Sequence, residues 1–262
     1  MKKLIVVAIA VLLLAAFFEN VRFTVQGAGG PVPYAYVKLG NAGKLTDING
    51  KTDIVKTIFQ NSVGVERLGF KSITVYLPFS LFYLNYHIGL VVEDYNGITK
   101  QLNKMLSGLS SYQYNYTLRV SQGESVQSQT ISAKFDKGEF SFSNKSDFTG
   151  ADYTVVYKNK NFYLIKDGER NILEGEEKDS FISKNIVFLS AYEIVSSMLP
   201  GETPQRIDCK GNAISIVWSN AKAVLTVGSD GMLSEIDFTQ KTENESIEVH
   251  FTLSNVNEKV EI

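Results

Sequence analysis

The sequence predicts a mainly β protein: an N-terminal β-sandwich, then an antiparallel half-barrel sheet covered by about two helices. Three observations carry that reading. Apolar and polar residues alternate at period two through most of the chain, the mark of strands with one buried face. Sixteen Phe and thirteen Tyr stand against five Pro, a balance that favours strands. Two stretches alone switch to the helical period.

The 262 residues suit two domains preceded by a short leader. The expected division is 1–19 as signal peptide or N-terminal anchor, 20–95 as the sandwich and 96–262 as the half-barrel. Lys2 and Lys3 precede an unbroken apolar run from Leu4 to Phe18, the layout of a secretory signal. The run is shorter than the roughly 20 residues of a usual membrane span. Ala15 and Ala16 offer a cleavage point without a clean A-x-A, so an uncleaved anchor stays open, with membrane contact through this segment. The expected location is the periplasm or cell envelope of a bacterium. The sequons at Asn115, Asn144 and Asn244 are then incidental.

Net charge is −2, and the 26 basic residues are scattered, which excludes a nucleic-acid footprint. The single cysteine, Cys209, has no disulfide partner in the chain, and a small buried hydrophobe is the plainer reading than a reactive thiol.

Taken in order, Val21, Phe23 and Val25 alternate against Arg22, Thr24 and Gln26. A turn-rich break from Gly27 to Pro33 follows, then Ala35, Val37 and Leu39 in alternation. Turns are expected at Asn41–Gly43 and Asp47–Gly50, and further strands through Ile73, Val75 and Leu77 and through Tyr86, Ile88, Leu90 and Val92. Ile98, Leu102, Met105, Leu106 and Leu109 share a helical face, with Asn96-Gly97 opening the stretch. Tyr112, Tyr114, Tyr116, Leu118 and Val120 then form a long striped strand. Ile131, Ala133 and Phe135 continue it, followed by Phe140 and Phe142, and by Tyr153, Val155 and Tyr157. Phe162 and Leu164 run into a hairpin turn at Asp167-Gly168. Residues 188–199 read as a helix ended by Pro200-Gly201. Strands follow through Ile214–Trp218, Ala223–Val227, Ile236–Phe238 and Ile247–Leu253.

Two resemblances add to this. Gly30-Pro31-Val32-Pro33 before Ala35-Tyr36-Val37, then Thr46-Asp47 with Gly50-Lys51, then Leu68-Gly69-Phe70-Lys71, resembles the carboxypeptidase regulatory-like sandwich family, although residues 53–66 depart from its pattern. That resemblance implies a spacer or accessory fold without activity. From about residue 97 the order helix, meander, helix, meander resembles the LolA and LppX-type carrier fold. The Asp167-Gly168-Glu169 turn and the Val227–Leu233 segment before Ile236-Asp237-Phe238 carry the likeness. It implies a concave sheet face, roofed by helices, that holds acyl chains or other apolar matter. Arg119 lies on the polar register, and Arg170 and Arg206 fall in expected loops, so the family's carrier arginine has no clear counterpart here.

No nucleophile motif, metal-ligand spacing or phosphate loop occurs, so no catalytic residue, cofactor or metal is expected. His87 and His250 lie opposite apolar registers and read as solvent-facing. The acidic run Glu174–Asp179 reads as a solvated loop. The candidate ligand-binding residues are Tyr112, Tyr114, Tyr116, Phe140, Phe142, Phe162, Trp218 and Phe238, as the lining of a hydrophobic cavity; the competing reading is a filled core. The expected function is therefore non-catalytic binding or carriage of a lipid, a lipidated protein or another apolar ligand. The alternative is a structural or stress-sensor-like envelope protein that binds other envelope proteins and has no cavity.

Overall fold

The computed structural model describes residues 18–57, 60–77, 84–185, 190–260 and 262. The expected signal or anchor segment as far as residue 17 and the first two residues of the helix expected at 188–199 lie outside them. The chain forms two compact units. The first comprises Met1–Ile98, Asp208–Ile214 and Val227–Met232; the second comprises Thr99–Ile207, Ser215–Thr226 and Leu233–Ile262.

Two four-stranded sheets build the first unit, as the sandwich expectation requires. One holds β1 (Phe18–Gly27), β2 (Gly30–Pro31), β5 (Lys51–Thr57) and β8 (Leu84–Gly89); the other holds β3 (Tyr36–Leu39), β4 (Ala42–Leu45), β6 (Ser62–Glu66) and β7 (Ile73–Tyr76). Alternation sends Val21, Phe23 and Val25 inward with Val37, Leu39, Val63 and Val65, all fully buried. β8 runs parallel to β1, a non-local pairing that periodicity does not reveal. The Asp47–Gly50 turn forms as its chemistry dictates: Asp47 Oδ1 accepts from the Asn49 and Lys51 amides, and Gly50 takes φ +71°. By contrast β4 begins at Ala42, inside the turn expected at Asn41–Gly43.

Two buried polar groups shape this unit. The Arg67 guanidinium donates to the carbonyls of Pro33, Leu68 and Gly211, so its burial is compensated, although desolvation lowers its pKa to about 10. Cys209 is buried with Sγ 3.6 Å from the Gly69 carbonyl, and burial pushes its thiol up to about 11, as an unreactive small core residue should behave.

The large sheet has eleven strands in the order β14-β13-β12-β11-β10-β9-β19-β18-β17-β16-β15, and it is open, ending at β14 and β15. Its strands are β9 (Ser111–Gln122), β10 (Ser125–Asp136), β11 (Glu139–Ser146), β12 (Ala151–Lys158), β13 (Asn161–Lys166), β14 (Glu169–Ile172), β15 (Arg206–Lys210), β16 (Ala213–Val217), β17 (Ala221–Val227), β18 (Leu233–Lys241) and β19 (Glu245–Ser254). Arg170 and Arg206, expected in loops, stand on β14 and β15; Arg170 lies 3.8 Å over the Tyr163 ring. Such short edge strands carry too little alternation to be read from sequence.

Among the described residues three helices accompany the strands. α1 (Tyr95–Ser107) buries Tyr95, Ile98, Leu102 and Leu106. It starts before the expected Asn96-Gly97 opening because Asp94 Oδ1 accepts from the Gly97 amide and satisfies a first-turn donor. α2 (Gly175–Asn185) absorbs the acidic run expected as a loop. Glu176 and Glu177 sit in its first turn, where the helix dipole favours negative charge. α3 (Ala191–Met198) is capped by Ser190, whose side chain accepts from the Glu193 amide while Glu193 accepts from the Ser190 amide.

Candidate functional site: an aromatic strip on the large sheet

Strand register turns the tyrosine stripe of β9 into a strip that crosses the sheet. Tyr112 is the partner of Phe135, Phe135 of Phe140, Phe140 of Tyr157, and Tyr157 of Phe162. Five rings thus lie in one row across β9 to β13. Their centroids stand 4.7 Å (Tyr112–Phe135), 5.8 Å (Phe135–Phe140) and 5.6 Å (Phe140–Tyr157) apart, while Phe140 and Phe162 meet edge-on at 6.4 Å. These are favourable aromatic geometries. Tyr112 and Phe162, at the row's ends, are buried; Phe135, Phe140 and Tyr157, in its middle, are only half-buried.

The neighbouring rows are closed. Tyr114 is fully buried, pairs with Ala133 and Leu253, and stacks 5.8 Å from Phe251. Phe142 is likewise buried beside Ala133 and Val155. In the next row Tyr116 pairs with Ile131 and Phe251, and the chain of partners continues to Asn144 and Tyr153. Asn144, one of the sequon asparagines, is buried there: it accepts from Gln129 Nε2 and donates to the Tyr153 hydroxyl, so its amide is occupied inside the fold.

The helical cover is uneven. α3 seats Ala191, Ile194, Val195 and Met198 as buried residues. A backbone hydrogen bond joins Ala191 to the Tyr112 hydroxyl. α2 has no fully buried residue among its described side chains. Its half-buried Phe181 meets Tyr153 edge-on at 5.3 Å and Phe162 at 6.5 Å.

Burial away from water favours the neutral form of Tyr112, Tyr114, Tyr116 and Tyr153. It pushes Tyr112 up to about 12, Tyr114 further, and raises Tyr116 and Tyr153 as well. Three of the strip's five rings are phenylalanines, and its two tyrosines are Tyr112 at one end and Tyr157 in the middle.

Of the residues expected to line a cavity, Tyr112, Phe140 and Phe162 belong to the strip, and Tyr114, Tyr116 and Phe142 to the adjacent rows. Phe238 is buried on β18, the second strand from β9 on the side away from the strip. Trp218 stands farther off, between β16 and β17, with Nε1 donating to the Glu202 carbonyl. Phe135, Tyr157 and Phe181 were not among the expected residues. The first two share the period-two register that marks Tyr112 and Phe140, and that signal was available; Phe181 stands alone in a polar helix and gives none.

No family model matches the chain, and no curated protein matches it either. Among solved structures it is similar to a LolA superfamily protein from Nitrosomonas europaea, at 8% identity over 65% of this chain and 96% of that one, TM-score 0.26. It is also similar to LprF from Mycobacterium bovis, at 14% identity over 65% and 98% of the two chains, TM-score 0.34. A third is the lipoprotein LppX from Mycobacterium tuberculosis, at 12% identity over 62% and 94%, TM-score 0.30. At these TM-scores the likenesses are partial, and the functional reading rests on the chain's own residues.

Proposed function

We propose that this chain is an exported, non-catalytic binding protein that holds a lipid, an acyl chain or another apolar ligand against the aromatic strip. The observation that carries the reading is the row of five rings whose middle three, Phe135, Phe140 and Tyr157, keep part of their surface open. Apolar ligands are favoured by such surfaces, with a few polar groups at the rim to orient them. α2 lies over one end of the row on a single half-buried ring, so displacing it exposes little apolar area. Each methylene buried against the strip contributes about 0.8 kcal/mol before ordering costs.

In the same reading the leader directs export and is either cleaved or kept as an anchor. Residues 20–95 act as a carboxypeptidase regulatory-like spacer, and residues 96–262 carry the ligand. Recognition is non-covalent, with no residue in a chemical role.

Native mass spectrometry with lipid extraction, on the full chain purified from an envelope fraction, tests the proposal. A co-purifying lipid, depleted in Phe140→Ser, is the expected result; Phe140 is half-buried, so this substitution spares the closed rows. A clean apo mass that also ignores added lipids and detergents overturns it. That outcome selects the second reading, which the stacking distances within the closed rows favour: an ordinary core in an envelope protein whose strand edges meet another protein.

A further inference from the structure

The polar face of the large sheet carries a second feature, unrelated to the aromatic strip. Ile236 and Phe238 take the buried register of β18, so Glu235 and Asp237 both project to the other face. On β19, Val249 and Phe251 are buried, and His250 between them faces outward as the direct partner of Asp237. His250 Nδ1 lies 2.8 Å from Asp237 Oδ1 and 3.6 Å from Glu235 Oε1. One donor atom from each of the three residues falls within 4.8 Å of the others.

We propose that Glu235, Asp237 and His250 form a binding site for a divalent transition-metal cation of the zinc class. Metal–nitrogen and metal–oxygen bonds of about 2.0–2.2 Å put adjacent donors of one ion roughly 3 to 3.5 Å apart. The two separations from His250 Nδ1, 2.8 and 3.6 Å, lie on either side of that range, and all three donors fall within 4.8 Å of one another, a spacing that side-chain rotation about one ion can close. The backbone beneath is rigid, since β18 and β19 pair along seven residue pairs from Glu235↔Thr252 to Lys241↔Ser246.

Charge balance points the same way. One imidazole nitrogen, His250 Nδ1, faces two carboxylates, Asp237 and Glu235. Among the described residues neither carboxylate pairs with a lysine or arginine. The strand partners alongside are neutral, Thr252 opposite Glu235 and Thr117 opposite His250. A bound dication neutralises both carboxylates at once. The imidazole selects the cation class, because calcium and magnesium prefer all-oxygen shells whereas zinc, nickel and copper accept nitrogen. Three protein donors leave the remaining positions to water.

The test is calorimetric titration of zinc chloride into the full, untagged, chelator-stripped chain, alongside His250→Ala, Asp237→Asn and His87→Ala. One zinc per chain is expected, weakened roughly tenfold or more by His250→Ala and by Asp237→Asn and unaffected by His87→Ala. All three substituted residues are exposed, and an unchanged melting temperature without metal confirms that each variant is folded. Absence of saturable uptake by the parent chain, or equal binding by His250→Ala, overturns the proposal. Neither result bears on the aromatic strip, which lies on the opposite face.

Discussion

At the residue scale, the tyrosine hydroxyls give the clearest solution signature. Tyrosine in an unfolded chain ionises near pH 10, whereas burial holds Tyr112 at about 12 and Tyr114 higher still. Above pH 10 the unfolded chain therefore releases protons that the folded chain keeps. The contribution is fully present below about pH 10 and is lost as pH rises toward 12. Urea melts are expected to show the midpoint falling between pH 9 and pH 11.5, with the buried tyrosines ionising only as the chain unfolds. Equal midpoints at the two pH values would contradict the placement of these rings. The alternation that buries them was legible in sequence, because period two alone separates Tyr112, Tyr114 and Tyr116 from Gln113, Asn115 and Thr117. The meeting of His250 with Glu235 and Asp237 was not, since it depends on which strands pair.

At the scale of elements, α2 and α3 are unequal partners of the sheet. α3 carries a capping box and four buried residues, whereas α2 rests on Phe181 and a half-buried Ile182. Local opening follows the burial that must be undone. In hydrogen exchange followed by mass spectrometry, amides of 175–185 are expected to exchange well before those of 191–198. Equal protection of the two segments would remove the thin cover from the ligand-binding reading. The Ser190–Glu193 box is itself a readable start signal, and it places the first helical residue at Ala191, three residues after the beginning expected from periodicity. Hairpin turns divide in the same way. Asp167-Gly168 announces itself, but Asn159 and Lys160 turn with φ of +52° and +65° although neither is a glycine. Sequence gives little warning there, because the register of β12 and β13 holds the strain in place.

At the scale of the molecule, the last strand is central. β19 pairs with β9 on one side, from Glu245↔Gln122 to Ser254↔Gln113, and with β18 on the other. It joins the strands that precede α2 to those that follow α3. A chain truncated after Asn244 is therefore expected to lose cooperative folding of the large sheet, seen as loss of its thermal transition in circular dichroism and as rapid proteolysis. Retention of a cooperative transition at the parent temperature would show that the two halves of the sheet fold without it.

By itself the sequence determined the mainly β class, the inward register of the longer strands and the tight turns with Asp and Gly. Each of these depends on neighbours a few residues apart, where side-chain alternation and backbone sterics act directly. Tertiary structure alone decided that β8 runs parallel to β1, that β19 sits mid-sheet, that five rings fall into one row and that His250 meets two carboxylates. Those outcomes follow from strand pairing between distant residues, where the hydrophobic pattern fixes which face is buried but leaves open which strand comes next.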